Sequence, residues 1–195
     1  MAVIFNNLGD PKLVKLLDEG GIGILPTDTV YGLVCLAGNQ KAVESIYSLK
    51  NRQNKPGTLI ASSIEQLESL GFKRRYLTAV KQFWPGPFSV VIVLSDPGGA
   101  YLLQGLPDIA VRITADKKLA AILNKAGPIL TTSANSPGEK PANTIKEAEA
   151  YFGDKVDFYV DGGDLKNRQP STIIRIVDDA IEVIRQGAGK ISPNN

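Results

Sequence analysis

The sequence predicts one α/β domain built on a twisted, mixed sheet flanked by helices, and three observations carry that expectation. Short apolar runs bounded by glycine, proline or small polar residues alternate with segments whose apolar positions recur at helical spacing. The last two runs, residues 172–177 and 181–185, are joined through a turn at Asp178-Asp179. Such a hairpin requires an antiparallel pair, whereas helices between strands supply parallel crossovers. The 195 residues contain no repeat, no low-complexity tract and no dividing linker, so residues 1–195 are read as a single domain.

Each element has its own local cause. Asp10-Pro11 opens the first helix, with Leu13, Leu16 and Leu17 on one face, and Gly20-Gly21 closes it. Buried strands follow at residues 22–25 and 33–37, separated by the hydroxyl-rich loop Pro26-Thr27-Asp28-Thr29-Val30-Tyr31-Gly32. Asn39 caps a helix with Val43, Ile46, Tyr47 and Leu49 on one face, which runs out in the basic stretch Lys50-Asn51-Arg52. A strand at 58–62 precedes a capping box, Ser63 with Gln66, that starts another helix. Residues 74–83 read as a helix broken by Trp84-Pro85-Gly86-Pro87. Strands at 88–94 and 109–113, a helix at 116–125 and a strand at 128–132 follow. Thr144 with Glu147 makes a second capping box for a helix ending at Phe152. The chain finishes β-rich, with strands at 156–160, 172–177 and 181–185.

Composition limits the chemistry. Hydrophobic residues at 43% and charged residues at 22% match a globular protein able to fill a core. The net charge of +2 is too small to make the whole surface bind nucleic acid, so any basic face is local. There is no histidine, which removes Ser-His-Asp catalysis and the usual proton shuttle near neutral pH. The lone Cys35 lies in an apolar run and reads as buried filler rather than a nucleophile. One cysteine permits neither an intrachain disulfide nor a zinc cluster, so a reducing cytoplasm is the expected location. Asn6, Asn7 and Asp10 stand where a signal peptide needs apolar residues, and no run approaches the ~20 apolar residues of a membrane span. A metal would need carboxylates and substrate phosphates, which favours Mg²⁺ over zinc, and no residue is assigned to a protein metal site.

Three groups of residues could carry chemistry. Lys50, Arg52 and Lys55 put three cations at a helix end, which fits either a solvated helix terminus or a phosphate grip. Small hydroxyl residues stand where apolar strands meet turns: in residues 26–32, in Thr131-Thr132-Ser133-Ala134-Asn135 and in Ser171-Thr172. In open α/β sheets, ligands bind at such strand ends. Arg112 interrupts an apolar run, and a cation on a mostly buried strand must pair with an internal carboxylate or bind an anionic ligand. Gly187-Ala188-Gly189-Lys190 mimics the end of a P-loop, but Ile184 occupies the first glycine's place.

In order along the chain, six segments resemble the motifs of the YrdC-like family, the threonylcarbamoyl-AMP synthases. They are Pro26-Thr27-Asp28-Thr29-Val30-Tyr31-Gly32-Leu33, Lys50-Asn51-Arg52, Trp84-Pro85-Gly86-Pro87, Ala110-Val111-Arg112, Thr132-Ser133-Ala134-Asn135 and Ser171-Thr172. The resemblance implies a single twisted α/β domain with a basic concave face, in the family's short form. It implies condensation of L-threonine, bicarbonate or CO₂, and ATP to threonylcarbamoyl-AMP and pyrophosphate. A threonylcarbamoyl-transferase assembly would then modify an adenosine of tRNA. ATP is the implied substrate, with Mg²⁺ held through its phosphates.

By the same resemblance Lys50 and Arg52 are the catalytic cations. Lys50, Arg52, Lys55, Ser133, Asn135, Asn143 and Arg185 are implied to bind ATP, and Thr29, Arg112, Ser133 and Ser171 to bind threonine. The segment Gln53-Asn54-Lys55 is one residue shorter than the family's usual spacing. The alternative reading is an RNA-binding protein without synthase activity, holding duplex RNA non-specifically through its phosphates. Arg112 and the strand-end hydroxyls suit a small ligand better, and no RNP-like aromatic motif is present.

Overall fold

The structure is a computed structural model that describes residues 1–191. Its strands are β1 (Val3–Phe5), β2 (Gly23–Pro26), β3 (Tyr31–Leu36), β4 (Thr58–Ala61), β5 (Phe88–Val93), β6 (Asp108–Ile113), β7 (Ile129–Ser133), β8 (Phe158–Val160), β9 (Thr172–Val177) and β10 (Ala180–Arg185). They form one sheet in the order β1-β8-β2-β3-β7-β4-β6-β5-β9-β10. The pairs β1–β8, β2–β8, β4–β6 and β5–β9 are parallel and the other five antiparallel, the mixed sheet expected. The helices are α1 (Pro11–Asp18), α2 (Gln40–Leu49), α3 (Ile64–Ser69), α4 (Arg74–Ala79), α5 (Lys117–Ala126) and α6 (Ile145–Phe152).

Side-chain caps start most of these helices. Asp10 accepts from the Lys12 amide at 2.9 Å, Asn39 from Ala42 at 3.1 Å, and Asp116 from Lys118 and Leu119 at 2.8 and 3.0 Å. Each such cap stabilises its helix by about 1 kcal/mol. Both sequence-predicted capping boxes form with a shift. Ser63 and Thr144 accept from Gln66 and Glu147, but the reciprocal bonds run from the amides of Ser62 and Asn143, one residue earlier.

The structure departs from the sequence reading in several places. β1 is unanticipated, because three residues offer no periodicity and are held only by pairing with β8. β3 begins at Tyr31 rather than 33, since Pro26 and Tyr31 already pair across the hairpin. The helix expected over 74–83 divides into α4 and a 3₁₀ turn at Lys81–Phe83. The turn at Asp178-Asp179 is as expected, with φ of 48° and 62° at two residues that tolerate the left-handed region. Cys35 is fully buried, and burial pushes its thiol pKa up, as filler requires.

The two faces of the sheet are covered differently, and that difference creates the site. Alternate strand residues point to opposite faces. One face carries Leu33, Cys35, Leu59, Val90, Val111 and Leu130 and packs in the larger core with α2, α3, α4 and α6. The other carries Leu25, Val34, Ile60, Ile129 and Phe158 under α1 and α5, which lie side by side. Burial of each of these large apolar side chains contributes about 1.5–3 kcal/mol, so this half-face is stabilising core. Beyond it the same strands turn polar or small: Ile129 to Thr131 to Ser133 along β7, Ile60 to Thr58 along β4, Val34 to Gly32 along β3.

Candidate functional site

The uncovered half of that second face is a cleft of about 280 Å³, floored by strand residues including Thr58, Ala110, Thr131 and Ser133. A side chain at Gly32 would collide with the Thr131 hydroxyl, so glycine keeps the floor low. Five cations line the cleft, Arg52, Lys55, Arg112, Arg175 and Arg185, against one carboxylate, Asp108. Asp108 is itself paired with Arg175 at 3.2 Å. Such a surplus of positive charge in a partly dry concavity attracts and holds a polyanion.

Two of the cations come from the turn after α2. Asn51 and Asn54 sit at φ 47° and 51°, which asparagine tolerates, and the chain between them reverses. The Tyr47 hydroxyl fixes the far end of this turn, accepting from the Gly57 amide at 3.2 Å and donating to the Leu102 carbonyl at 2.7 Å. One Arg52 nitrogen donates to the carbonyls of Lys55 and Pro56 at 3.3 and 3.1 Å, which aims the guanidinium. Among the described residues no carboxylate lies within ion-pair distance of Arg52 or Lys55. Burial lowers the Arg52 pKa, a sign of a cation partly stripped of water.

Lys50 is differently employed. It is the C-cap of α2 and is buried, and its ammonium does not line the cleft. It donates to the Ser133 carbonyl at 3.0 Å, to Asn135 Oδ1 at 2.9 Å, and to the Asn135 carbonyl in a still closer contact. Three donors thus meet three acceptors at the end of β7 and just beyond it. Asn135 is equally engaged: Oδ1 also accepts from the Ser133 hydroxyl at 2.6 Å, and Nδ2 donates to the carbonyls of Ser136 and Glu139. Burial, with repulsion from Arg52 and Lys55, brings the Lys50 pKa down to about 8.

The other end of the cleft is a buried polar chain. Arg112 pairs with Asp28 at 2.9 Å, their side chains 3% and 8% exposed. It also donates to the Ser89 hydroxyl at 3.3 Å, which bonds the Ser171 hydroxyl at 2.9 Å. Arg185 closes the chain, donating to the Ser171 carbonyl at 2.8 Å and its hydroxyl at 3.2 Å. The Arg112 pKa is lowered by burial, against the pull of Asp28. That of Arg185 is lowered by burial and then by Arg112 and Arg52.

Of the residues singled out in the sequence, Thr29, Arg52, Lys55, Arg112, Ser133, Ser171 and Arg185 line the cleft together. Lys55 reaches it despite the shortened segment. Lys50 and Asn135 stand behind the wall, and Asn143 lies outside, its amide and side chain both donating to Glu147 Oε2. Of the two partners open to Arg112, the structure shows an internal carboxylate, Asp28, and Arg112 is also among the residues that line the cleft. Sequence reading passed over Asp28, Ser89 and Arg175. Arg175 alternates with Ile173 on β9 and with Ser171 just before it, so the period of the strand was its available signal.

Residues 15–187 match the Sua5/YciO/YrdC family model, described as telomere recombination. A Coxiella burnetii protein named threonylcarbamoyl-AMP synthase is 35% identical over 153 residues, 76% of this chain and 82% of that protein. Sua5 of P. abyssi, in a structure complexed with L-threonine, superposes with a TM-score of 0.84 at 27% identity. The match covers 95% of this chain and 58% of that one, so the chain spans little more than half of that protein. E. coli YciO, 23% identical, shares the fold over 99% of both chains with a TM-score of 0.84. The chain belongs to the Sua5/YciO/YrdC family.

Proposed function

We propose that this protein is a threonylcarbamoyl-AMP synthase, a nucleotidyltransferase. The observation that carries the reading is a cleft lined by Arg52 and Lys55, which have no carboxylate partner among the described residues, and by buried Arg112 among hydroxyls. The name of the Coxiella burnetii relative and the L-threonine complexed with P. abyssi Sua5 support it. Threonine's amine, converted to a carbamate by bicarbonate or CO₂, presents an oxygen to the α-phosphorus of ATP. The new P–O bond forms as the bond to pyrophosphate breaks, and the pair of electrons leaves with pyrophosphate. Arg52, Lys55 and Arg185 neutralise phosphate charge, Ser133 lies between the two substrates, and Thr29, Arg112 and Ser171 seat threonine. Such displacement relies on positioning and charge neutralisation, which needs no histidine.

Among the described residues no group of three or more acidic, histidine or cysteine side chains stands together to hold a metal. The cleft's carboxylate and Asp28 are already paired with arginines, so the donor set does not fit a protein-held Mg²⁺. In this reading Mg²⁺ enters with ATP as part of the substrate. No described helix is long and apolar enough to cross a membrane. We place the reaction in the cytoplasm, ahead of a transferase that moves the threonylcarbamoyl group to tRNA.

The test is incubation with ATP, bicarbonate and Mg²⁺, with and without threonine, following pyrophosphate. Threonine-dependent release is expected; RNA binding without any release would replace the synthase with the RNA-binding reading. Arg112→Lys should raise the threonine concentration for half-maximal release at least about tenfold, because an ammonium cannot reproduce a guanidinium's paired contact. The charge opposite Asp28 is kept, so melting should drop only modestly. Arg112→Ala instead strands a buried carboxylate, which costs about 3–5 kcal/mol.

A pH effect follows from Lys50. An unfolded lysine titrates near 10.5 and this one, folded, near 8. Between those values the unfolded chain holds more protons, so this group makes the fold more stable as pH rises from 8 towards 10.5. Losing its proton also leaves two N–H groups for three acceptors. Pyrophosphate release should therefore decline through about pH 8 in wild type, and Lys50→Met should lack that inflection. An identical inflection in the variant assigns the titration to another group.

A further inference from the structure

We propose that Asp28 is a positioning residue for the amino-acid end of the cleft, setting the Arg112 guanidinium that receives the substrate carboxylate. This rests on the synthase reading and adds to it a residue that does not itself line the cleft. Asp28 is on the β2–β3 turn, within the segment Thr27-Asp28-Thr29-Val30, where Thr27 accepts from the Thr29 amide at 3.2 Å and donates to the Val30 carbonyl at 2.7 Å. These bonds brace the backbone on either side of Asp28. One Asp28 oxygen takes the Arg112 terminal nitrogen at 2.9 Å, while the other, Oδ2, is buried without a protein partner, as is Arg112 Nε. The contact is thus through one oxygen only. Together with the Ser89 hydroxyl on the other terminal nitrogen, it fixes the guanidinium's tilt without filling all its donors.

The electrostatics point the same way. Arg112 is buried near Arg185, whose pKa it helps to lower, and the cleft's own carboxylate is committed to Arg175. Asp28 is therefore the single compensating charge that Arg112 touches among the described residues. Removing it has two separable consequences. The guanidinium loses its anchor, which harms a ligand that needs paired N–H geometry. The cleft also becomes more positive by one charge, which favours phosphates at its other end through space. A residue that merely held the fold together would weaken both ligands alike.

The experiment is calorimetric binding of threonine and of Mg-ATP, measured separately, to wild type, Asp28→Asn, Asp28→Glu, Arg112→Gln and the double variant Asp28→Asn/Arg112→Gln. Asp28→Asn should weaken threonine at least about tenfold and leave ATP unchanged or tighter. Asp28→Glu should recover part of the threonine affinity. The double variant should bind threonine no worse than Arg112→Gln alone, because Asp28 acts only through that side chain. If Asp28→Asn does not fold, the double variant, which removes both charges, and Asp28→Glu still decide the matter. Equal losses for threonine and ATP, or additive losses in the double variant, overturn the proposal. Pyrophosphate release by wild type is scored apart: a chain that binds threonine but releases none fails as a synthase while the affinity series still judges Asp28. A wild type that binds no threonine overturns both.

Discussion

Arg52→Ala is expected to lower the rate of pyrophosphate release at limiting ATP by at least about tenfold. Its guanidinium is aimed by two backbone carbonyls of its own turn, has no carboxylate partner among the described residues, and lines the cleft. Loss of one charge-assisted contact to a phosphate costs about 1.5–3 kcal/mol, and each ~1.4 kcal/mol is a factor of ten in rate. Arg52 ties down only its own exposed turn, so thermal melting should stay within a few degrees of wild type. Normal ATP dependence in the variant would show that Arg52 is a solvated helix end, and the phosphate grip would have to be sought at Arg185.

Lys50→Met should be as damaging to catalysis, by another route, and more damaging to the fold. The substitution removes the ammonium's bonds to all three acceptors, leaving the Ser133 carbonyl with the Asn135 amide, Asn135 Oδ1 with the Ser133 hydroxyl, and the Asn135 carbonyl with no replacement donor from the ammonium in a buried place. A charge-assisted hydrogen bond contributes about 1.5–3 kcal/mol, and three sharing one ammonium do not add fully. A loss of about 3 kcal/mol corresponds to roughly 6–12 °C in Tm for a chain of this size. Because the Ser133 hydroxyl is set by Asn135 Oδ1, the cleft wall should shift, and the requirements for ATP and threonine should rise together. A variant with wild-type melting and a raised requirement for ATP alone would return Lys50 to the phosphates, where the sequence motif first placed it.

The contrast between these two lysine and arginine neighbours shows what the sequence could and could not convey. Arg112 stood out in the sequence because a cation in an apolar strand is costly without a partner, Arg52 and Lys55 read equally as a solvated helix end or a phosphate grip, and Arg185 was marked only by the family resemblance. Whether a cation faces a ligand or the protein is a three-dimensional property. Lys50 turns inward because α2 ends against the end of β7 and the segment just beyond it, 83 and 85 residues away in sequence. Asn143, implied by the resemblance to contact ATP, is not among the cleft-lining residues for a related reason: an asparagine before a helix has its own local work, and here it is taken by Glu147. Strands with β-branched runs and turns with Asp178-Asp179 or Gly20-Gly21 were readable from local chemistry. β1 was not, since its only cause is the distant strand beside it.

Along β7 the residues facing α5 and the cleft run Ile129, Thr131, Ser133, so core and site are consecutive beads on one strand. A slip of β7 by two residues would either put Thr131 under the helices in place of Ile129, or carry Ile129 into the cleft and leave Gly127 beneath them. A chain assembled with the wrong site is then also a chain with a poor core, and it unfolds sooner than it could be found inactive. Selection for stability in this strand doubles as proofreading of the cleft. Substitutions that loosen the helix-covered end should accordingly be scarce even where the cleft residues themselves are untouched.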